Sequence, residues 1–252
     1  MIPALASLLP AKLAGIVDPL VLADDPSPAI SGRELFDQRR IKQCLTAFGR
    51  NYKEPDAQAV ATQWSKWHFS IVLTPVLALN IVADRQLPIA LDEIGVLLSP
   101  DSRTQGLRLP DSGSTVHFDN AHQRFARIVE GHLAPVVSAL SQASTLPSKV
   151  LWSNAGNVVE NVVAECASWL GDEHRGVRDA RAFLASRTWP DGRKNELFEP
   201  IRYSGTGTRR RRICCLRYRM DSLPLCKSCP LDRIPQRAVN RSSNQAPPEV
   251  LS

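Results

Sequence analysis

The absences in this chain narrow its class first. No apolar run is long enough to cross a bilayer: the longest, residues 71–83, contains Pro75 and Asn80 and falls short of the roughly 20 residues a spanning helix needs. The apolar N-terminus, MIPALASLLPAKLAGIVDPLVLADD, lacks a basic leading region and is broken by Pro3, Pro10 and Pro19, so it does not read as a secretory signal. There is no internal repeat. With neither an export signal nor a span, the expected compartment is the reducing cytosol, where six cysteines serve as metal ligands or buried thiols rather than disulfides. A place near the inner face of the cytoplasmic membrane is compatible with that. A hydrophobic share of 43% and a charged share of 22% exclude wholesale disorder. At 252 residues the chain can bury a core without covalent staples.

The charge is concentrated. Residues 201–233 hold nine basic side chains against Asp221 and Asp232, a local net of +7, so a chain of net +6 is about neutral elsewhere. The same segment carries four of the six cysteines.

The expected fold is α+β, mostly helical with a small antiparallel sheet and a C-terminal cysteine-rich module. Ser31-Gly-Arg-Glu34 has capping-box spacing, and Leu35, Phe36, Ile41, Leu45 and Phe48 continue as one apolar helix face. Val60, Trp64, Trp67 and Ile71 recur at helical spacing between Asp56 and Asp84, with Pro75 expected to kink or end the helix. Alternation and turn residues over 87–118 predict two or three strands. Two further helices are expected through Phe125–Leu140 and Val158–Leu170. Four regions follow: an N-terminal helical region over 1–55, an α+β core with a substrate groove over 56–204, a cofactor-binding module over 205–233 entered through a Ser204–Thr208 connector, and a disordered tail over 234–252.

Cys214-Cys215, ten residues, then Cys226-Lys-Ser-Cys229 makes a C-C-x10-C-x2-C pattern. Thiolates are soft ligands that select zinc, copper(I) or iron–sulfur clusters. A mononuclear zinc site usually takes two C-x2–4-C pairs, and only one is present. Adjacent cysteines in extended chain point to opposite sides, so Cys214 and Cys215 meet one ion only across a backbone distortion. A two-iron cluster relaxes that demand. A structural zinc module on a non-enzymatic binding protein is the alternative. Pro224 and Pro230 flank the second pair, and the Lys227 and Ser228 amides are candidate donors to sulfur.

The vicinal cysteines preceded by Arg211-Arg212-Ile213 and followed by Leu216-Arg217-Tyr218, with Leu225-Cys-Lys-Ser-Cys-Pro230-Leu231 closing the module, resemble the C-terminal signature of the FhuF-like siderophore-iron reductases. Phe198-Glu-Pro-Ile-Arg-Tyr203, Leu151-Trp-Ser-Asn154 and the Trp64–Trp67 region extend the resemblance over residues 60–233. It implies that Cys214, Cys215, Cys226 and Cys229 hold a [2Fe-2S] cluster and that no catalytic side chain beyond it is needed. It further implies one-electron reduction of a ferric siderophore, of hydroxamate type, in the cytoplasm, with release of Fe(II). The implied partners are that chelate and an electron donor such as a ferredoxin or flavin reductase.

The basic segment has few interleaved aromatics, Tyr203 and Tyr218, and no nucleic-acid-binding fold around it, so nucleic acid is not an expected partner. Its expected roles are tuning a cluster and docking an acidic donor or an anionic ligand, with neutral or anionic chelates favoured over cationic ones. His68 and His132 read as satisfied core histidines. His117 and His122 lie near a turn. Trp64, Trp67 and Trp152 read as core or pocket lining, and Cys44 and Cys166 as buried thiols.

Overall fold

A computed structural model describes residues 2–53, 55–205, 207–220 and 223–233; the tail over 234–252 lies outside them. The architecture is α+β, mostly helical with small sheets. Its centre is a pair of long helices, α4 (Ala57–Ala83) and α7 (Ser148–Leu170). Asp56 caps α4 by accepting from the Ala59 N–H at 2.9 Å, satisfying one of the donors every helix start leaves open. The helix runs through Pro75 instead of ending there. An interior proline costs about 3 kcal/mol, and the burial of Val72, Leu73, Val76, Leu77 and Leu79 around it outweighs that at roughly 1.5–3 kcal/mol per large side chain. By length and composition α4 alone among the described helices could cross a membrane, but most of its apolar window is buried inside this fold.

The capping box yields two helices rather than one. Ser31 caps the short α2 (Gly32–Leu35), and Asp37 starts α3 (Gln38–Gly49) by accepting from Arg39 and Arg40. The N-terminal region also contains strands. β1 (Leu20–Leu22) and β2 (Ala29–Ser31) are the outer members of a four-stranded sheet whose middle is β4 (Gly95–Leu98) and β5 (Thr104–Leu109), in the order β1-β5-β4-β2. β1 runs parallel to β5, with Leu20 opposite Leu107; the other pairings are antiparallel. Gly106 makes the β1 junction possible, because a Cβ there would sit 2.1 Å from the Pro19 carbonyl oxygen. Val116 and Phe118 form no strand; the neighbouring β6 (Ser114–Thr115) pairs with β3 (Arg85–Gln86).

α5 (Ala121–Ala126) passes through a π-helical segment, Arg127–Leu133, into α6 (Ala134–Ser144). α8 (Arg175–Ala185) packs on α4, α5 and α7. The Ser204–Thr208 segment proves to be the loop of a hairpin, β7 (Ile201–Tyr203) with β8 (Arg209–Arg211), not a free connector. That hairpin packs on α7 at Gly156, where a Cβ would come within 2.5 Å of Pro200.

Candidate metal centre at the C-terminal cysteines

α4 and α7 bury polar residues where they face each other. Asn154 donates to Thr62 Oγ1 at 2.8 Å, to the Thr62 carbonyl at 3.2 Å and to Ser65 Oγ at 2.8 Å, while its carbonyl oxygen accepts from Arg211. One α7 side chain therefore ties α4 to the last residue of β8. Arg211 is 2% exposed and also donates to Ser153 Oγ at 3.2 Å. Burying a guanidinium costs several kcal/mol unless it is paired and hydrogen-bonded. Arg211 Nε has no partner among the described residues; burial lowers the guanidinium, and the cysteines, Cys215 first, oppose that.

Cys215 is buried, whereas Cys214, Cys226 and Cys229 are half-buried. Cys215 Sγ lies 3.7 Å from Cys226 Sγ and 3.8 Å from Lys66 Nζ. The Cys226 S–H first, then the Lys66 and Arg211 cations and the Arg217 backbone N–H, push the Cys215 thiol down to about 5 against the opposing effect of burial. Sharing its proton with Cys215 drives Cys226 the other way, so it stays protonated. Burial lowers Lys66, and the two thiols oppose that. Cys214 is raised, mainly by burial, and lies within electrostatic reach of Cys215 and Cys229.

Leu216 follows the vicinal cysteines in the left-handed conformation at φ 55°, a reversal that an L-residue adopts at some cost. Its amide donates to Cys214 Sγ at 3.4 Å, and the Leu231 amide makes the equivalent bond to Cys229 Sγ at 3.4 Å. These amides, not those of Lys227 and Ser228, are the observed partners of the sulfurs in the two half-loops. The Cys229 amide bonds instead to the Cys226 carbonyl at 2.9 Å, and the Ser228 carbonyl accepts from the Arg211 amide at 2.9 Å. Among the described residues no three histidine, cysteine or acidic side chains converge closely enough to hold one metal ion.

The arginine run is largely engaged within the chain. Arg209 pairs with Glu160 and donates to Asn157 Oδ1 at 2.8 Å, Arg210 pairs with Asp232, and Arg212 with Glu199. Arg219 pairs with Asp56 and donates to Gln58 at 2.8 Å. Its role is therefore mainly to fasten the cysteine loop to the body, and less of its charge faces solvent than the local count of +7 implies.

The segment that builds this seat is shared with known proteins. A family described as ferric iron reductase FhuF-like transporter matches residues 62–211. The chain belongs to that family. The matched stretch begins at Thr62 and ends at Arg211, so it takes in the polar α4–α7 contact and stops just short of the cysteines. A ferric siderophore reductase of Escherichia coli (strain K12) is 24% identical over 172 residues, 67% of this chain and 64% of that protein. The chain thus spans less than two thirds of that relative's length.

Lys66, Gln63 and Asn154 are the site residues that sequence reasoning missed. Lys66 is the one cation within the apolar stretch from Val60 to Ile81. Of the two roles expected of Trp67 the structure gives the second: it is 43% exposed and lines an open cleft with Gln63 and Arg103. Its indole N–H donates to the Thr104 carbonyl at 2.8 Å. Trp152 is partly buried against the core. His117 is exposed beside Arg175, and His122 is half-buried against Phe183 and Trp189 and bonds the Thr188 carbonyl. Burial raises Cys44 and raises Cys166 to about 11, which makes both poor nucleophiles.

His68 and His132 are fully buried. His132 Nδ1 lies 3.0 Å from the Ile89 carbonyl, His132 Nε2 lies 3.2 Å from His68 Nε2, and His68 Nδ1 lies 2.8 Å from Thr104 Oγ1. The partners assign the protons. Nδ1–H of His132 must donate to the carbonyl, so its Nε2 accepts from His68, whose Nδ1 accepts the Thr104 hydroxyl proton. Burial lowers both, His132 to about 4.

Proposed function

We propose that the chain is a cytoplasmic ferric-siderophore reductase that holds a [2Fe-2S] cluster on Cys214, Cys215, Cys226 and Cys229 and reduces a hydroxamate-type chelate one electron at a time. The observation that carries this reading is the close pair of Cys215 and Cys226, 3.7 Å apart beside Lys66, seated on the helix pair of a ferric iron reductase family.

The residues suit an anionic sulfur-bound group. Four thiols supply soft donors, and the cations Lys66 and Arg211 favour the ionised Cys215 that ligation requires. The amides of Leu216 and Leu231 already donate to sulfur, the kind of contact that stabilises added negative charge and raises a potential. A two-iron cluster takes two thiolates at each of two metal centres, a demand that the vicinal Cys214 and Cys215 meet more readily than they meet a single ion. When bound, the cluster supplies single-electron transfer.

The electron originates in an external reductant such as a ferredoxin or flavin reductase and ends on the chelated Fe³⁺, giving Fe²⁺. Hard oxygen donors hold Fe²⁺ far more weakly, so reduction releases the metal; each tenfold difference in binding corresponds to about 59 mV for one electron. The chain's own contribution is to hold the thiols, to keep cations beside them and to present a surface to each partner. No general acid or nucleophile is required.

The test is iron, sulfide and zinc analysis of anaerobically purified protein with a visible spectrum before and after dithionite, then addition of a ferric hydroxamate with a ferrous trap. The expectation is about two irons and two sulfides per chain, bleaching on reduction, and return of colour as Fe²⁺ appears. A colourless protein with one zinc would overturn the cluster and the reductase together. A cluster that the chelate cannot reoxidise would remove the siderophore and leave an electron carrier.

A further inference from the structure

Beside the cysteine loop, α3, α4 and the turn before β5 enclose a cleft of about 340 Å³ lined by Phe48, Asn51, Tyr52, Gln63, Trp67, Asp101 and Arg103. Several features mark it as built to receive oxygen atoms. Gln63 turns its carbonyl toward Lys66 Nζ at 3.5 Å, which leaves its amide nitrogen buried with no protein partner. A buried donor left unpaired costs about 1–3 kcal/mol and is rarely retained without a ligand or water. Arg103 lies over the Trp67 ring at 4.8 Å and pairs with Asp101 at 2.7 Å, presenting a half-exposed flat cation beside a flat exposed indole. Tyr52, on the same wall, is half-buried, and the Arg103 guanidinium opposes the rise that burial gives its phenol.

The cleft and the thiols are one side chain apart. Gln63, on the wall, contacts Lys66 at 3.5 Å, and Lys66 contacts Cys215 at 3.8 Å. Its size is at the small end of ligand sites, enough for the oxygen-rich face of a chelate whose remainder stays in solvent.

We propose that this cleft is where the ferric chelate docks, its ligand oxygens taken by Gln63 and by the Arg103 guanidinium and its flat face set against Trp67. This rests on the reductase reading above. The orphan donor and the cation select neutral or anionic chelates with exposed oxygens.

The gallium(III) complex of a trihydroxamate, which matches the ferric complex in shape and charge but accepts no electron, tests it. Its binding to the full chain is followed by calorimetry and tryptophan quenching, alongside reoxidation of the reduced protein by the ferric complex and by ferricyanide. Gln63→Glu, nearly isosteric, and Arg103→Gln are each expected to weaken gallium-chelate binding at least tenfold, while ferricyanide reoxidation of the parent shows that its reduced centre can give up an electron. Trp67→Leu is expected to abolish the quench; thermal melts exclude any variant that fails to fold, and Gln63→Glu keeps the test alive if Trp67→Leu does. Unchanged binding in both polar variants would overturn the cleft while leaving the reductase reading intact. So would a parent protein that the ferric complex reoxidises but that shows no gallium-chelate binding. A parent that neither binds nor is reoxidised would overturn the reductase reading itself.

Discussion

Two buried polar clusters hang from α4 only two residues apart, and they are finished differently. At His68 every ring nitrogen of the histidine pair has a partner, from the Thr104 hydroxyl through His132 to the Ile89 carbonyl. At Lys66 the neighbourhood is left open: Gln63 Nε2, Arg211 Nε and Arg217 Nε are buried with no partner among the described residues. A fully satisfied network contributes rigidity. An unsatisfied one is a cost that a ligand removes when it binds. The first cluster is therefore assigned to the scaffold and the second to the site.

The largest effect that sharpens the comparison belongs to the thiols. Cys215→Ser is expected to remove essentially all bound iron and visible absorbance while the thermal midpoint of the metal-free protein moves by only a few degrees, because the loop adds little to the core. Midpoint and metal content measured on the same sample check it. If iron is retained in full, Cys215 is not a ligand.

The histidine pair should behave oppositely, with a large effect on stability and none on metal. Both imidazoles are depressed in the fold and ordinary in the unfolded chain. The unfolded state thus binds more protons below about 6.5, and the stabilisation present above that value is lost as pH falls toward about 4. Between pH 7 and pH 5, His132 alone accounts for roughly 2 kcal/mol. Urea titrations at the two values measure the loss. His132→Asn should flatten the pH dependence while lowering stability at pH 7 by about 1–3 kcal/mol. An unchanged slope would show that the pair does not titrate.

Asn154 joins the two worlds, and Asn154→Leu should show it. Losing a partner of the buried Arg211 and of Thr62 and Ser65 is expected to cost about 2–4 kcal/mol and to loosen metal retention, read as faster loss of iron to a chelator. Stability loss without that acceleration would separate the seat from the site.

The smallest effect is electrostatic. In metal-free protein Lys66→Gln should raise the Cys215 thiol, now held at about 5, by about one pH unit or roughly 1.4 kcal/mol. The measurement is the pH dependence of its alkylation rate. An unshifted profile would mean that Cys226 and Arg211 suffice.

The legible parts of the chain were those with long periods or rare residues. α4 and α7 showed in their apolar spacing, and the C-C-x10-C-x2-C pattern stood out because four cysteines so close together are uncommon. β1 and β2 are three residues each, too short for alternation to register, so the N-terminal region read as helical. The π-helical segment that carries His132 has no sequence signature that periodicity can separate from an α-helix. Within the site, nothing in the sequence marks Lys66 or Asn154 as buried, since a polar residue on a helix is usually exposed. Their burial depends on a hairpin more than fifty residues further along the chain from Asn154, which local reading does not reach. Arg211 was misjudged for the same reason, as part of a surface run.

The neck of the cysteine loop is tied without any metal. The Arg211 amide bonds to the Ser228 carbonyl, Ser228 Oγ to Asn157 at 3.2 Å, and the Arg211 side chain to α7. Residues 212–227 are thereby a lasso drawn shut by ordinary hydrogen bonds. On the proposed reading an order of maturation follows: the helical body and the knot form first, and iron and sulfide are expected to enter a loop whose ends are already fixed.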